Sequence, residues 1–573
     1  MAIINKLDNA LINKIAAGEV IERPSSVVKE LIENSIDAKA TKIVIEIKES
    51  GFSLIKIVDN GKGMDKQDTK LCIERHATSK IKDADDIFKI KTLGFRGEAL
   101  ASIAAISNMK IITKQKEAKT AFQINIEAGR IYIEKEIGWQ DGTTMEIKDL
   151  FFNVPARKKF LKNMRLEFQN IVDVISRYAL INHNIFFKLV HNKRDIFVSP
   201  QAPDWKGTLI NIYGMDVARD MLAIEYKNDI YSISGFISKP KLTRADKSHQ
   251  SLYVNKRYIK NKYITQGVYD AYHTLLFNHR HPVIILNIEV DPSLIDVNVH
   301  PTKKEIRINK EEEMRAAVCS AIKEVLDKEN LVPQDLDKQT RIVIDDIKYE
   351  REKFKKKEYV VPTNQQAELQ TNYQSAYMKK LEEVTPKDTT RIIGQVHDCY
   401  LIVEDREGML IVDQHAAEER VNYERFMDMY ANKDIKIQQL LKPMHLEMNA
   451  SDFTLLEANI EKFKAIGFDL DNFGHNSFIL RSIPLLLNKL QSKEAILDLL
   501  DEVKTLKNFE EETLIQKACK ASVKQGDSLT QNQLSNLMSE LKQTKTPFTC
   551  PHGRPTMIKM TKAELERKFK RTG

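Results

Sequence analysis

The chain has 573 residues, more than one hydrophobic core supports, and we expect three or four domains because domains usually hold about 100–200 residues. Hydrophobic residues make up 42% of the chain and charged residues 30%, which is typical of a globular protein. The net charge of +8 arises from 89 basic and 81 acidic residues, so attraction to polyanions must come from local basic patches. No apolar run approaches the roughly 20 residues that span a bilayer, and the N-terminus lacks a signal-peptide pattern. We therefore expect a cytoplasmic protein without a membrane partner. Five dispersed cysteines exclude a disulfide framework.

Helical and strand patterns alternate along the first part of the chain, which predicts a multidomain α/β protein. Residues 1–205 contain a helical pattern at 25–38 and strand-like runs such as "KIVIEIK" and "LIKIVDNG". Residues 206–328 are rich in strand patterns and end in a helical one at 311–328. The polar text of 329–388 predicts a flexible linker, with an exposed helical extension as the alternative. Residues 389–573 begin with two predicted strands around "DREG" and form a compact C-terminal domain.

The stretch "SSVVKELIENSIDA" combines a buried stripe with two polar side chains one helical turn apart. Glu30 and Asn34 project from the same side of the predicted helix. A carboxylate can orient a water molecule as a general base, and an amide oxygen can ligate Mg²⁺. This spacing alone is common on solvated helices, which is the alternative.

Four further segments follow in an order that indicates a nucleotide site. "VDNGKGM" places Asp59 beside Gly61 and Gly63, a carboxylate that can accept from an adenine amino group and two glycines that allow close backbone approach. "HATSKI" adds hydroxyls and a lysine, and "LGFRGEALASI" places glycines before a helical pattern whose amides can hold phosphate. "DGTT" at 141–144 supplies another hydroxyl-bearing turn. Each of these segments alone is typical of a turn, but the segments in this order together predict a nucleotide-binding site.

Near the C-terminus, "DQHAAEERVNYE" places His415 and Glu419 on one helical face. That pattern alone favours a solvated helix. The segments "ACKASVK" and "CPHGRP" change the balance, because Cys519, Cys550 and His552 are ligands that zinc or manganese sites use. We expect the three segments to converge on a metal site.

Several strings resemble the MutL family of DNA mismatch-repair proteins, within the superfamily that includes gyrase, heat-shock chaperones and histidine kinases. They are "KELIENSIDA", "DNGKGM", "RHATSKI", "GFRGEALASI", "GTTMEIKDLFFNVPARKKFL" and "DVNVHPTKKEIR", dense over residues 1–328, and the resemblance resumes after the linker. It implies a Bergerat-type GHKL ATPase domain over 1–205 and a ribosomal-protein-like transducer domain over 206–328. It also implies a C-terminal dimerisation and endonuclease domain over 389–573.

The resemblance assigns roles in the ATPase, with ATP and Mg²⁺ as cofactors. Glu30 is expected as general base, Asn34 as Mg²⁺ ligand and Asp59 as adenine partner, with Thr143 behind the adenine. Lys303, from the second domain, is expected to reach the γ-phosphate, which couples ATP binding to domain movement. The expected nucleotide lid comprises Thr78, Ser79, Lys80, Gly94, Phe95, Arg96, Gly97, Glu98, Ala99 and Leu100.

The C-terminal strings match the signature of MutL proteins that nick DNA: Asp-Gln-His-Ala, two residues, Glu, four residues, Glu. The resemblance places Asp413, Glu419 and Glu424 at a catalytic metal, with Mn²⁺ implied, although five residues place Glu424 well round the helix from Glu419. A Zn²⁺ site that can share Glu419 is assigned to His415, Cys519, Cys550 and His552. The alternatives are an ATP-driven mismatch-repair matchmaker without nuclease activity, or another ATPase of the superfamily.

Partners also follow from short segments and from the resemblance. DNA contacts are expected at the basic stretches 155–165, 254–262 and 566–573, with an ordinary solvated surface as the alternative. Mismatch recognition is left to a separate protein, MutS. "QQLLKP", Gln438 to Pro443, resembles the peptide that binds the replication sliding clamp, with a strand edge or loop as the alternative. A homodimer joined through the C-terminal domains is implied.

At two positions the residue differs from the one usual in the family. Lys39 in "DAKA" and Lys256 in "YVNKR" stand where most relatives have glycine. If either position requires positive φ, lysine costs on the order of 1 kcal/mol there. Neither carries an expected catalytic group, so we expect local adjustment without loss of activity.

Overall fold

The computed structural model describes residues 21–80, 92–94, 97–161, 163–273, 275–276, 280–296, 307–308, 310–328, 391–405, 408–474, 476–490, 493–504, 510–522, 529–569 and 571. The chain forms two compact units: residues 1–329 with 436–514, and residues 330–435 with 515–573. We call residues 21–328 the arm and residues 436–514 the insert. The predicted linker, 329–388, lies outside the described residues.

The N-terminal half of the arm is a sheet with helices packed on it. Its elements are α1 (Pro24–Asp37), β1 (Lys42–Lys48), β2 (Leu54–Asp59), α2 (Lys66–Leu71), α3 (Ala99–Ala105), β3 (Asn108–Lys114), β4 (Ala121–Glu127), β5 (Arg130–Ile137), β6 (Gly142–Lys148), α4 (Pro155–Phe160), α5 (Met164–Ile181), β7 (Phe186–His191) and β8 (Arg194–Ser199). The eight strands run in the order β5-β4-β3-β6-β2-β1-β7-β8. All neighbours are antiparallel except β1 and β7, and α1 and α5 pack into the same hydrophobic core as the sheet.

The second half of the arm has its own sheet and core. Its elements are α6 (Trp205–Tyr213), α7 (Met215–Arg219), β9 (Met221–Lys227), β10 (Tyr231–Ser238), β11 (Thr243–Arg244), β12 (Gln250–Val254), β13 (Arg257–Ile259), α8 (Lys262–Ala271), β14 (His281–Pro282), β15 (Ile284–Val290), β16 (Ile295–Asp296), β17 (Arg307–Ile308) and α9 (Glu311–Lys328). Five strands form the order β13-β12-β15-β10-β9. β12 runs parallel to β15, and α8 and α9 supply buried side chains to the same core.

The insert and the second unit each contain a smaller sheet. The insert has β21 (Ile437–Glu447), α11 (Ala450–Ala465), β22 (Asp469–Gly474), β23 (Ser477–Pro484) and α12 (Lys493–Lys504), with strand order β21-β23-β22. The second unit has β18 (Arg391–Val396), β19 (Tyr400–Asp405), β20 (Gly408–Asp413), α10 (Gln414–Ala431), α14 (Gln531–Gln543), β24 (Met557–Thr561) and α15 (Lys562–Lys568), with strand order β18-β19-β20-β24. α13 (Glu511–Ser522) spans the boundary between the units.

The predicted elements correspond closely to these. The helix predicted at 25–38 is α1, the two strands around "DREG" are β19 and β20, and the helix predicted at 311–328 is α9. These patterns succeed because alternating or helical apolar positions decide which face each element buries. None of the helices within the described ranges combines the length and apolar character that crossing a bilayer requires.

Both lysines that replace the family's glycines adopt left-handed backbone conformations. Lys39 has φ 62° just after α1, and Lys256 has φ 65° in the turn between β12 and β13. Asn255 before it has φ 49°, so both turn residues are left-handed, as in a type I′ hairpin turn that favours Asn-Gly. Both lysines therefore have the positive φ at which we expect a lysine to strain the backbone.

We expect Lys39→Gly to raise the free energy of unfolding of the arm by about 1 kcal/mol, because glycine enters this conformation without a Cβ clash. Both tryptophans of the chain, Trp139 and Trp205, lie in the arm, so urea unfolding followed by tryptophan fluorescence reports on this region. Lys135→Gly, in the exposed strand β5, is the matched control and should be destabilising, because glycine weakens a strand. Equal destabilisation by both changes would contradict this account.

Candidate functional sites

The N-terminal candidate site begins on α1, where the expected general base lies in a network of charges. Lys29 Nζ lies 3.5 Å from Glu30 Oε1 and 3.6 Å from Glu33 Oε1, and all three residues are buried. Burial by itself lowers the pKa of Lys29, but the charges of Glu33 and Glu30 outweigh it and the pKa is raised overall. Lys29 therefore remains a cation beside the Glu30 carboxylate.

Asp59 ends β2 with its carboxylate fixed from two sides. Gly61 N–H donates to Oδ1 at 2.8 Å, and the Ser35 hydroxyl on α1 donates to Oδ2 at 2.8 Å. Burial raises the pKa of Asp59, and these two hydrogen bonds oppose the rise. Gly63 has φ 69°, and a Cβ there would lie 2.2 Å from the Lys114 carbonyl oxygen, so this close approach needs glycine.

Thr143 lies directly opposite Asp59 in the pairing of β2 with β6. Its hydroxyl lies 3.1 Å from the Thr113 hydroxyl, which also accepts a hydrogen bond from Met64 N–H at 2.9 Å. Thr143 is buried. The carboxylate and the threonine pair therefore form one polar surface at the ends of neighbouring strands.

Asp37, the last residue of α1, binds both of the expected lid segments. Its carboxylate pairs with Lys80 Nζ at 2.6 Å and accepts hydrogen bonds from the backbone amides of Leu93 and Gly94, each at 3.0 Å. Lys80 Nζ also donates to Asn34 Oδ1 at 3.1 Å. The expected Mg²⁺ ligand thus already holds a cationic group from the lid.

The remaining lid residues fall partly within the described ranges. Gly97 has φ 63°, and a Cβ there would lie 2.5 Å from the Ala77 carbonyl oxygen. Glu98 immediately precedes α3, which begins at Ala99 and includes Leu100, and Lys80 N–H donates to the Thr78 hydroxyl at 3.2 Å. Ser79 lies between those two residues. Phe95, Arg96 and the second-domain lysine, Lys303, lie outside the described residues.

The C-terminal candidate site forms where β20 passes into α10. Asp413 caps the helix, its Oδ1 accepting from Ala416 N–H at 3.1 Å. The loop 549–555 folds back on itself through a hydrogen bond from Cys550 N–H to the Arg554 carbonyl at 2.8 Å. It is fastened beside α10 because Arg420 Nε donates to the Thr549 carbonyl at 2.6 Å. Two segments more than 100 residues apart are thereby brought together.

Three of the expected metal ligands meet at this junction. One ligand atom each from Glu419, Cys550 and His552 lies within 4.8 Å of the others. His552 Nδ1 is 3.3 Å from Glu419 Oε2, while its Nε2 is buried without a hydrogen-bond partner among the residues that the structure describes. A thiol, an imidazole and a carboxylate at this separation, with one buried imidazole nitrogen unsatisfied, fit a zinc or manganese ion.

Asp413 and His415 lie beside this group and share Glu419 with it. They line a cavity of about 120 Å³ together with Glu419 and Arg554. His415 Nδ1 is 3.8 Å from Asp413 Oδ1, and nearly half of the Asp413 side chain is exposed. The structure therefore presents two adjoining sets of candidate ligands joined at Glu419.

Cys519 and Glu424 are not members of the group of three whose ligand atoms lie within 4.8 Å of one another, and the role of Cys519 as a zinc ligand stays a prediction. Cys519 is buried on α13, where burial and then the charge of Glu419 raise the pKa of its thiol. Glu424 accepts hydrogen bonds from the backbone amides of Lys545 and Thr546 at 2.7 and 3.3 Å, and from Arg420 Nη1 at 3.3 Å. In this arrangement its carboxylate fastens the loop 544–546 to α10, and its catalytic role stays a prediction.

Two functional candidates were missed by the sequence reasoning. Asp37 organises the lid, and its signal was present as an acidic residue three positions after Asn34, which places it on the same side of α1. Arg554 lies within "CPHGRP", but only the tertiary structure places its side chain beside Asp413 and Glu419.

The segments expected to contact DNA and the sliding clamp each expose some side chains to solvent. In the basic stretch 155–165, Arg157 donates to the Ile21 carbonyl and Arg165 to Asn459 Oδ1, whereas Lys158 and Lys159 are exposed. In Gln438 to Pro443, the pairing of β21 with β23 is interrupted after Gln439, and Leu441 is fully exposed. The exposed leucine suits a peptide motif that enters an apolar pocket of a partner.

Family models match three separate segments of the chain. Three family models match: "Histidine kinase-, DNA gyrase B-, and HSP90-like ATPase" over residues 22–148, "DNA mismatch repair protein, C-terminal domain" over 209–327 and "MutL C terminal dimerisation domain" over 393–529. A solved structure, the Aquifex aeolicus MutL ATPase domain complexed with ADP, aligns with 54% of this chain and 99% of its own at 26% identity and a TM-score of 0.38.

Curated relatives match from end to end. The DNA mismatch repair protein MutL of Anoxybacillus flavithermus is 39% identical over 100% of both chains. The MutL proteins of Bacillus anthracis and Listeria monocytogenes are 37% and 38% identical, over 100% and 99% of both chains. The chain carries an N-terminal ATPase domain and a C-terminal dimerisation domain, and it belongs to the MutL family of DNA mismatch-repair proteins.

Proposed function

We propose that the chain is an ATP-driven mismatch-repair endonuclease, which binds and hydrolyses ATP in the arm and nicks DNA at the C-terminal metal centre. The observation that carries the nuclease assignment is the convergence of Glu419, Cys550 and His552 on ligand atoms within 4.8 Å of one another. A structural zinc site in a protein without nuclease activity would use the same ligand types, and the nicking assay distinguishes the two functions.

In the arm, the Asp59 carboxylate is the partner for the adenine amino group. Its two oxygens are oriented by Gly61 and Ser35, so the group is fixed before nucleotide binds. Such preorganisation lowers the entropic cost of binding. Thr143 lies across from it in the next strand and completes the polar surface behind the base.

Glu30 is the general base of the proposed hydrolysis. It removes the proton from the attacking water, and the neighbouring Lys29 ammonium lies 3.5 Å from its Oε1. Asn34 would ligate Mg²⁺, an ion that would neutralise the triphosphate charge when bound. Because Lys80 currently donates to Asn34 Oδ1, nucleotide binding requires Lys80 to turn away from that oxygen. Lys80 is then free to meet the phosphates, which links lid closure to the presence of ATP.

In the C-terminal centre, Glu419, Cys550 and His552 would hold one ion, with His415 and Asp413 beside it. Bound there, the ion would supply Lewis-acid polarisation of a DNA phosphate and a lowered pKa for a coordinated water molecule. Asp413 is half exposed, so its carboxylate can reach an incoming substrate. Arg554 supplies positive charge in the same cavity and can attract a DNA phosphate towards the carboxylates.

Partners follow from the same assignment. The family's dimerisation domain supports a homodimer, and the exposed lysines at 158 and 159 offer sequence-independent contacts to DNA phosphates. The interrupted strand around Leu441 offers a docking peptide for the replication sliding clamp, and mismatch recognition comes from MutS. Location in the cytoplasm is part of the same proposal.

We expect the full-length protein to convert supercoiled plasmid to the nicked form in the presence of Mn²⁺, because the metal centre supplies the nucleophile. Prior removal of divalent ions with a chelator should reduce nicking to the level of the buffer alone, and adding back Mn²⁺ should restore it. Agarose gel electrophoresis of the plasmid is the measurement. Nicking that persists in excess chelator would contradict the metal-dependent mechanism.

A further inference from the structure

The insert contacts the arm through polar pairs that lie far apart in sequence. Arg280 Nη1 lies 2.6 Å from Asp498 Oδ2, and Lys493 forms an ion pair with Asp216. The Met215 backbone N–H donates to Glu447 Oε2 at 3.2 Å. The contacts come from β21, α11 and α12 on the insert, and from α5, α7 and a loop near β14 on the arm.

A buried group of charges lies in the middle of this contact. Lys504 Nζ on α12 is 2.7 Å from both Asp452 Oδ1 and Asp501 Oδ1, and 3.3 Å from Nε2 of His249 on the arm. Asp452, Asp501 and His249 are each at most 3% exposed. Buried charges are tolerated only when paired, and here the Lys504 ammonium pairs with both buried aspartates. This buried charged group therefore joins the insert to the arm.

One arm helix connects this contact to the catalytic helix. α5 meets the insert through Arg165, which donates to Asn459 Oδ1 at 2.9 Å. On its opposite side, the Tyr178 hydroxyl donates to Glu33 Oε1 on α1, three residues after Glu30. Arg177 also ties α5 to the loop carrying His249, because it donates to the Ser248 carbonyl at 2.8 Å. A change in how the insert packs on α5 can therefore affect α1, because α5 contacts both.

We propose that the insert is an intramolecular regulatory element, which docks on the arm beside α5 and slows ATP turnover by restraining α1. This rests on the proposed role of Glu30 as general base. Undocking the insert frees α5, and with it the network of Lys29, Glu30 and Glu33, to take up the arrangement that hydrolysis needs. The C-terminal half of the chain thereby controls the ATPase through direct contact.

A disulfide tests the docked arrangement directly. An ideal Cβ built on Gly214 lies 3.2 Å from the Cβ of Glu447, so the two atoms need to separate by only a few tenths of an ångström to reach the range of about 3.5–4.5 Å found in disulfides. Because Gly214 has φ 85°, cysteine strains the backbone there, and the single variant Gly214→Cys measures the effect of that strain. The variant Gly214→Cys/Glu447→Cys should cross-link on mild oxidation, with each single variant as a control for the five native thiols. A specific protease site inserted between residues 360 and 361 lets a non-reducing gel show the link, since the two fragments then remain joined. Cross-linking no greater than in the single variants, or a product of twice the chain's mass before proteolysis, would overturn docking within one chain.

ATP turnover of the same protein tests the regulatory role. We expect at least a threefold lower rate for the oxidised double variant than for the reduced one, with reductant restoring the rate. Arg280→Asp should raise turnover of the otherwise unchanged chain, and adding Asp498→Arg should return it towards the starting value. A cross-linked protein with unchanged turnover would refute regulation. If instead the unmodified chain hydrolyses no ATP while the cross-link still forms, the proposed ATPase mechanism fails and the docking stands.

Discussion

Glu30→Gln is expected to lower ATP turnover by about 10²–10⁴-fold, because the amide cannot accept the proton of the attacking water. ATP affinity should change little, since the adenine partner Asp59 and the Mg²⁺ ligand Asn34 are untouched. Glutamine keeps the size of the side chain, although it loses the charge that faces Lys29. Steady-state phosphate release and equilibrium nucleotide binding measure the two quantities separately.

The control for this change is Glu127→Gln, which removes a carboxylate from an exposed position at the end of β4. It should retain the turnover of the unmodified protein. Turnover by Glu30→Gln within a few-fold of that of the control would remove Glu30 from the role of base. A parallel loss of ATP binding would instead show that the substitution damages the site as a whole.

Asp413→Asn is expected to abolish Mn²⁺-dependent nicking of supercoiled plasmid while leaving ATP turnover unchanged. The amide is a much weaker metal ligand than the carboxylate, whereas it can still accept the capping hydrogen bond from Ala416 N–H at the start of α10. The helix should therefore remain intact, and the loss should be specific to cleavage. Initial rates of nicked-plasmid formation are the measurement.

Glu418→Gln is the matched control, because Glu418 lies on the same helix, next to Glu419, and accepts a hydrogen bond from Gln414 that glutamine can also accept. It should nick at the rate of the unmodified protein. Equal nicking by Asp413→Asn and the control, or nicking by neither, would contradict the assignment of Asp413.

Much of the arm's site was predictable because its residues lie on local patterns. Glu30 and Asn34 share a helix face, and Asp59 follows a strand whose alternation marks its buried side. The glycines of relatives at positions 39 and 256 raised the condition that these positions have positive φ, and Lys39 and Lys256 both meet it. In each case the determining forces act within a few residues, where sequence spacing translates directly into geometry.

The remainder depends on pairings over long separations that spacing does not encode. The partner of Asp37 is Lys80, 43 residues away, and Arg554 reaches the start of α10 only because the C-terminal loop folds beside it. Helical spacing predicted that Glu424 lies well round the helix from Glu419. It did not predict that the Glu424 carboxylate holds the loop 544–546. The docking of the insert on the arm had no local signal, since its charges resemble any solvated helix face.

Metal content of the full-length protein tests the central claim most directly, because the proposed nuclease requires Glu419, Cys550 and His552 to bind an ion together. After incubation with Zn²⁺ and removal of free metal, elemental analysis should find at least one bound equivalent per chain in the unmodified protein. It should find the same in Cys72→Ser, which removes a thiol from the arm. Cys550→Ser and His552→Ala should each lose bound metal. Metal content that is absent from the unmodified protein, or equal in all four proteins, would contradict the proposed metal centre.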